Sequence, residues 1–379
     1  MTPAGLARAL QEHVAGSLAE SVGRLGRLAA LDAPTGDVDA LRETEALLTG
    51  MLDELRADVR AHPTPAGTHL EARLGPAAGE PILVVAHYDT VWPRGTALAR
   101  PFQVVDGVAR GPGVHDMRAG LVAALAAAEA LGELDALGRP LTLLLNADEE
   151  AGSTTSAELI VSLGRQSAAA LVPEACLGGG ALKTSRRGIA TYRFEIEGRE
   201  AHAGHGSERG VSAVHELVAL LGSLQALARP QAGTTINIGL VGGGTRPNVV
   251  AGSAFAEVDV RVATAAEDER IHRALGRLAV GEGATLGVRR LHERPPMERT
   301  PAIAAGAERA REIGALIGLE LTEGAAGGAS DANFLARLGI PVLDGLGPDG
   351  GGAHAVDEHV LVDSLAERIV LLALLIALL

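Results

Sequence analysis

Thiols, aromatic rings and positive charge are all scarce in this chain of 379 residues. Its single cysteine, Cys176, can neither close an internal disulfide nor build a cysteine-ligated zinc site. Aromatic residues make up 2% of the sequence, so Leu, Ala and Val must supply the core. Lys and Arg number 33 against 47 Asp and Glu, for a formal net charge of -14. That balance argues against a nucleic-acid or anionic-membrane surface, which needs clustered basic residues. Long apolar runs are missing too. The longest, Ile369 to Leu379, has 11 residues, against the roughly 20 that a membrane-spanning helix requires. It reads as a buried terminal helix. The opening MTPAGLARALQEH lacks the basic and apolar regions of a secretory signal. The expectation is a soluble, cytoplasmic protein with neither nucleic acid nor membrane as a partner.

What is present describes a globular protein. Hydrophobic residues reach 47% and charged ones 21%, and the length suggests two domains. Residues 6–31 and 39–55 carry apolar positions at helical spacing. Buried-strand runs follow at 82–86, 141–147 and 169–172, with helical patterns at 117–131 and 155–163 between them. Strands alternating with helices predict an α/β fold, a mostly parallel sheet flanked by helices. After about Ser185 the pattern changes. Residues 189–197 alternate, as a half-exposed strand does, and open a βαββαβ order that ends near Arg289. That order is a ferredoxin-like α+β sandwich. Beyond Pro295-Pro296 the first pattern resumes, so the sandwich is inserted. The expected organisation is a catalytic metal-binding domain of residues 1–185 and 295–379, with residues 186–294 as a lid and dimerisation domain.

Ligands of open α/β sheets gather at the C-terminal ends of the strands. Acids and histidines stand there repeatedly: His87 and Asp89 in AHYDTVWP, Asp116 in GPGVHDMRAG, Glu149 and Glu150 in NADEEAGS, Glu174 in LVPEA and His354 in GGAHAVDEH. Singly, each has a plain structural reading, as a helix cap, a core histidine or a solvated turn. Together, so many buried acids demand compensating positive charge. Lys and Arg are sparse in these loops, which makes a divalent metal the natural counterion. Imidazole and carboxylate without thiolate suit zinc and admit manganese or cobalt. His115, beside Asp116, reads as a loop filler or as a support for that residue, and GGASDAN (327–333) as a substrate-contacting loop or a helix start capped by Ser330 or Asp331. GLVGGGT lacks the context of a phosphate-binding loop.

These motifs, in this order, resemble the co-catalytic zinc peptidases that include carboxypeptidase G, aminoacylase and acetylornithine deacetylase. The resemblance spans nearly the whole chain. It implies two zinc ions per chain, with Asp116 bridging both. His87 and Glu174 would hold one, Glu150 and His354 the other. Glu149 would be the general base, and Asp89 would orient His87. In the inserted domain, EAHAGHG matches the family's H-A-G segment, so His202 would stabilise the oxyanion, reaching a partner subunit's site. Asn248, Arg261 and Arg294 would contact substrate, the arginines at its carboxylate. Ala251 departs from the family pattern, which often has proline there. The implied activity is hydrolysis of an amide next to an amino acid with a free carboxylate, glutamate-carboxypeptidase-like. The implied substrate is a small peptide or N-acyl amino acid, and the implied partner a second copy, through the inserted domain. An N-acyl-amino-acid deacylase or dipeptidase shares every ligand. A non-catalytic binding protein on the same fold is the alternative of another class.

Overall fold

The computed structural model describes residues 1–379. They form two compact units, each with its own apolar core. One comprises Met1–Ser185, Arg299–Ala326 and Ser330–Leu379; the other comprises Arg186–Glu298 and Gly327–Ala329.

The larger unit is built on an eight-stranded sheet. Strands Leu141–Asn146, Ile82–His87, Ala169–Val172 and Val342–Asp344 lie side by side at its centre, all parallel. Every residue in these four is buried, which is why they read as unbroken apolar runs. The flanks are antiparallel. A hairpin of Asp58–Thr64 and Gly67–Leu74 extends the sheet beyond Leu141–Asn146, an addition that periodicity did not signal. Helix Ala119–Glu133 starts just after Asp116 and is buried along most of its length. The terminal helix Val362–Leu378 packs on it and on helix Pro3–Ala29. Residues Leu371 to Ile376 are wholly buried, each large side chain contributing about 1.5–3 kcal/mol. From Ile369 onward this helix is apolar on every side, as befits a stretch inside a core, and no helix here is long and apolar enough to cross a membrane.

A second, small sheet positions one loop. Gly350–Gly351 and His359–Leu361 pair antiparallel and close the segment that carries His354, while Val108–Arg110 and Gln103–Val105 complete the sheet.

The smaller unit has the expected ferredoxin-like order. Its antiparallel sheet runs Thr235–Gly243, Ser253–Val262, Gly188–Glu197, Thr285–Arg294. Tyr192, Phe194 and Ile196 pack with Leu217, Leu220 and Leu224 of helix Ala213–Gln225 and Ile271 of helix Ala265–Leu275. The alternation read from residues 189–197 is this one-sided burial.

Candidate metal centre

Strand Ile82–His87 delivers His87 to the sheet edge with 1% of its surface exposed. Its Nδ1 lies 3.0 Å from the Asp89 main-chain oxygen, which can only accept, so Nδ1 carries a hydrogen. Nε2 faces two carboxylates, Asp116 Oδ1 at 3.2 Å and Glu174 Oε1 at 3.7 Å. The other oxygen of Asp116, Oδ2, lies 3.3 Å from His354 Nε2. That imidazole is also 3.2 Å from Glu150 Oε1. Asp116 therefore presents one oxygen to the His87–Glu174 pair and the other to the His354–Glu150 pair. His354 adopts a φ of 62°, rare outside glycine, and Gly350, Gly351 and Gly352 precede it.

The surrounding loops are held by buried acids. The Asp89 carboxylate accepts the Thr35 hydroxyl at 2.7 Å and the Glu149 and Glu150 N–H groups at 3.2 Å. Its Oδ1 is 3.4 Å from His87 Nδ1, so the main-chain oxygen is that ring's nearer partner. Asp89 thus fixes the Glu149–Glu150 turn as well as the imidazole. Asp148, wholly buried, accepts from Thr155 N at 2.6 Å and from the Thr155 and Ser156 hydroxyls. Asp331 bonds Asn146 and Ser153 rather than capping its helix, whose first turn it leaves without a side-chain cap. Ser330 accepts from Ala332 N while donating to Asp344. His115 fills its loop from within: it is 9% exposed, its Nδ1 has no partner, and burial pushes its pKa down. Sequence reasoning missed Glu358, 2% exposed, which accepts from the main chain of the Asp116 turn. The only local signal is an acid four residues beyond His354.

The cluster's electrostatics call for a cation. His354 is pushed up to about 10 by Asp116 and then Glu150. Burial resists charge on His87, yet the Asp116 and Asp89 carboxylates carry it well above its ordinary value. Burial also resists charge on Asp116, but His354 and His87 hold it far below the usual carboxylate range. Ligand atoms of His87, Asp116 and Glu150 lie within 4.8 Å of one another. Nitrogen and oxygen donors at such spacing, with surplus negative charge, fit a divalent metal.

The smaller unit holds the remaining residues singled out in the sequence. Ala203 N donates to Asn248 O at 3.0 Å, which sets His202 beside Asn248. His202 Nδ1 accepts from Gly204 N at 3.0 Å, so Nε2 is the ring's donor. Arg261 and Arg294 both register with Ile189, on the two strands that flank it. Arg261 Nε binds Asp259 at 3.0 Å and its Nη1 binds Gly327 O at 3.3 Å. His202 and Asn248 are at the other end of that sheet, beyond the Glu197–Ser253 pairing.

A carboxylate–imidazole cluster at the ends of parallel strands is an arrangement that could hold metal in an α/β enzyme. Comparison with known proteins makes this specific. Residues 83–378 match the model of peptidase family M20/M25/M40, and the chain belongs to that family. It is a hydrolytic enzyme of peptide or amide bonds. Carboxypeptidase G2 of Pseudomonas sp. (strain RS-16) is 27% identical over 365 residues, covering 93% of this chain and 87% of that protein. A succinyl-diaminopimelate desuccinylase of Gluconacetobacter diazotrophicus is 30% identical over 359 residues, covering 84% and 87%. The crystal structure of a tripeptidase from Staphylococcus aureus shares the fold, with a TM-score of 0.76 at 22% identity, covering 95% of this chain and 98% of that one.

Proposed function

We propose that this protein is a dizinc hydrolase of an amide whose amine side is an amino acid with a free carboxylate, a carboxypeptidase-type exopeptidase. The observation that carries the reading is Asp116, whose two oxygens face separate His–carboxylate pairs. We assign His87 and Glu174 to one metal, Glu150 and His354 to the other, and Asp116 to both. Zinc, with manganese or cobalt as substitutes, would lower the pKa of a bound water and polarise the scissile carbonyl.

The chain's own groups do the rest. Glu149 takes a proton from the attacking water and returns it to the leaving nitrogen. Asp89 holds the turn from which Glu149 and Glu150 project. His202 donates from Nε2 to the oxygen that becomes negative, and Asn248 beside it contacts substrate. Arg261 and Arg294 bind the substrate carboxylate, for which a guanidinium fork is suited. The larger unit is the catalytic one in this reading. The smaller one serves as lid and dimer contact, supported by its outer strand Thr235–Gly243, where Leu240 and Val241 are more than half exposed.

The 30% identity to a desuccinylase favours a second reading, an N-acyl-amino-acid deacylase or dipeptidase with the same donors and a different acyl pocket. Hydrolysis of a panel of N-acyl amino acids, dipeptides and folate-like glutamates by zinc-loaded protein separates the two. We expect turnover of free-carboxylate substrates, none of their methyl esters, and about two zinc ions per chain by elemental analysis. At most a trace of metal after loading overturns the metal assignment.

A further inference from the structure

Glu358 stands four residues after His354 and has 2% of its surface exposed. Both oxygens are fully engaged. Oε1 accepts from His115 N at 2.9 Å and Asp116 N at 3.1 Å. Oε2 accepts from Gly113 N at 2.8 Å and from the Trp92 indole at 2.9 Å. A carboxylate meeting four N–H donors satisfies them all only when ionised, since a protonated or amide form places a hydrogen against a hydrogen. The donors come from two separate segments. Trp92 lies three residues beyond Asp89, and Gly113 to Asp116 form the turn that carries Asp116. Glu358's own segment carries His354. One side chain therefore ties together three loops that bear residues of the metal centre, and it is too deeply buried to meet substrate.

We propose that Glu358 is a positioning residue: it fixes the Asp116 turn against the His354 loop, and so sets the affinity of the site for metal. This rests on the metal reading of Asp116 and His354 given above. Partners one step behind metal ligands typically change affinity by about 10- to 100-fold when altered. Glu358→Gln keeps the volume but loses acceptors for part of the donor set and turns an N–H against the rest.

The test measures zinc affinity of wild type and Glu358→Gln by competition with a chromogenic chelator, on protein whose fold is checked by circular dichroism. Trp92 is the chain's one tryptophan, so its emission reports directly on loss of the indole bond. The expected result is a folded variant with shifted emission, zinc affinity at least about tenfold weaker, and a larger change in kcat than in KM. A purely structural role would lower unfolding temperature and yield while leaving the affinity of the folded protein unchanged, and that result overturns the proposal. If Glu358→Gln does not fold, Trp92→Phe removes one donor and leaves the carboxylate. A several-fold weaker affinity in that variant supports the proposal, and wild-type affinity overturns it. Wild-type protein that takes up no zinc fails at the earlier step and removes the metal reading itself.

Discussion

Glu149 and Glu150 share one anchor, because both main-chain N–H groups bind Asp89. Their roles are separable by one substitution each. Glu149→Gln keeps shape but is a poor proton acceptor, so turnover should fall by about a hundredfold or more while zinc content survives. Glu150→Gln weakens the oxygen facing His354, so zinc should be lost in dialysis. Steady-state kinetics and elemental analysis on the same preparations decide it, and a fully active Glu149→Gln that keeps its zinc would exchange or abolish the roles. At this scale, sequence legibility follows chemistry. His87, Asp116, Glu150, Glu174 and His354, which converge in the structure, stand out in the sequence because loops at the ends of parallel strands are where ligands gather. Glu358 and Asp331 do not, because their partners are remote: Glu358 bonds Gly113 across 245 positions, and Asp331 bonds Asn146 across 185. A buried acid serving a distant backbone leaves no spacing pattern behind.

Elements meet the centre through close backbone approaches. At Gly120, in the first turn of helix Ala119–Glu133, an added Cβ would sit 1.7 Å from the Pro173 carbonyl oxygen, next to Glu174. Helix and loop are thus in contact where the Asp116 and Glu174 segments come together. Gly120→Ala should force them apart, destabilise the protein by about 3 kcal/mol, and weaken zinc binding in whatever folds. Urea denaturation followed by circular dichroism checks the first effect, and an unchanged midpoint would show that the backbone yields without cost. Three of the four central strands, at 82–87, 141–146 and 169–172, were legible for the reason that they are buried on both faces, and the terminal run because 11 apolar residues are too few to span a bilayer. The hairpin Asp58–Leu74 was not. Its outer strand has no buried residue, carries Pro63, and turns at Pro65-Ala66 without an Asn-Gly or Asp-Gly signal. The small sheet around His354 escaped as well, since strands of two or three residues are shorter than any periodicity can register.

At the scale of the whole molecule, the smaller unit raises a question of reach. His202 follows the strand whose far end carries Ile189, the residue that Arg261 and Arg294 flank. Strand Gly188–Glu197 has 10 residues, and at about 3.3 Å per residue His202 stands roughly 25 Å or more from the arginine row. One small substrate cannot touch both ends of one sheet. If His202 and the arginines serve the same reaction, they come from different chains, which favours a dimer in which His202 completes the partner's site. His202→Ala should leave fold and zinc content intact and lower turnover by about a hundredfold, the usual cost of one lost oxyanion donor. Mixing it with Glu149→Gln protein then tests the arrangement. In a mixed dimer, the site on the His202→Ala chain keeps its own Glu149 and receives His202 from its partner. Random exchange makes half the dimers mixed, each with one complete site, so activity should return to about a quarter of wild type. Activity that stays at the level of the separate variants, after subunit exchange has been verified by mass-labelled chains, would place His202 within its own chain's chemistry or outside the reaction.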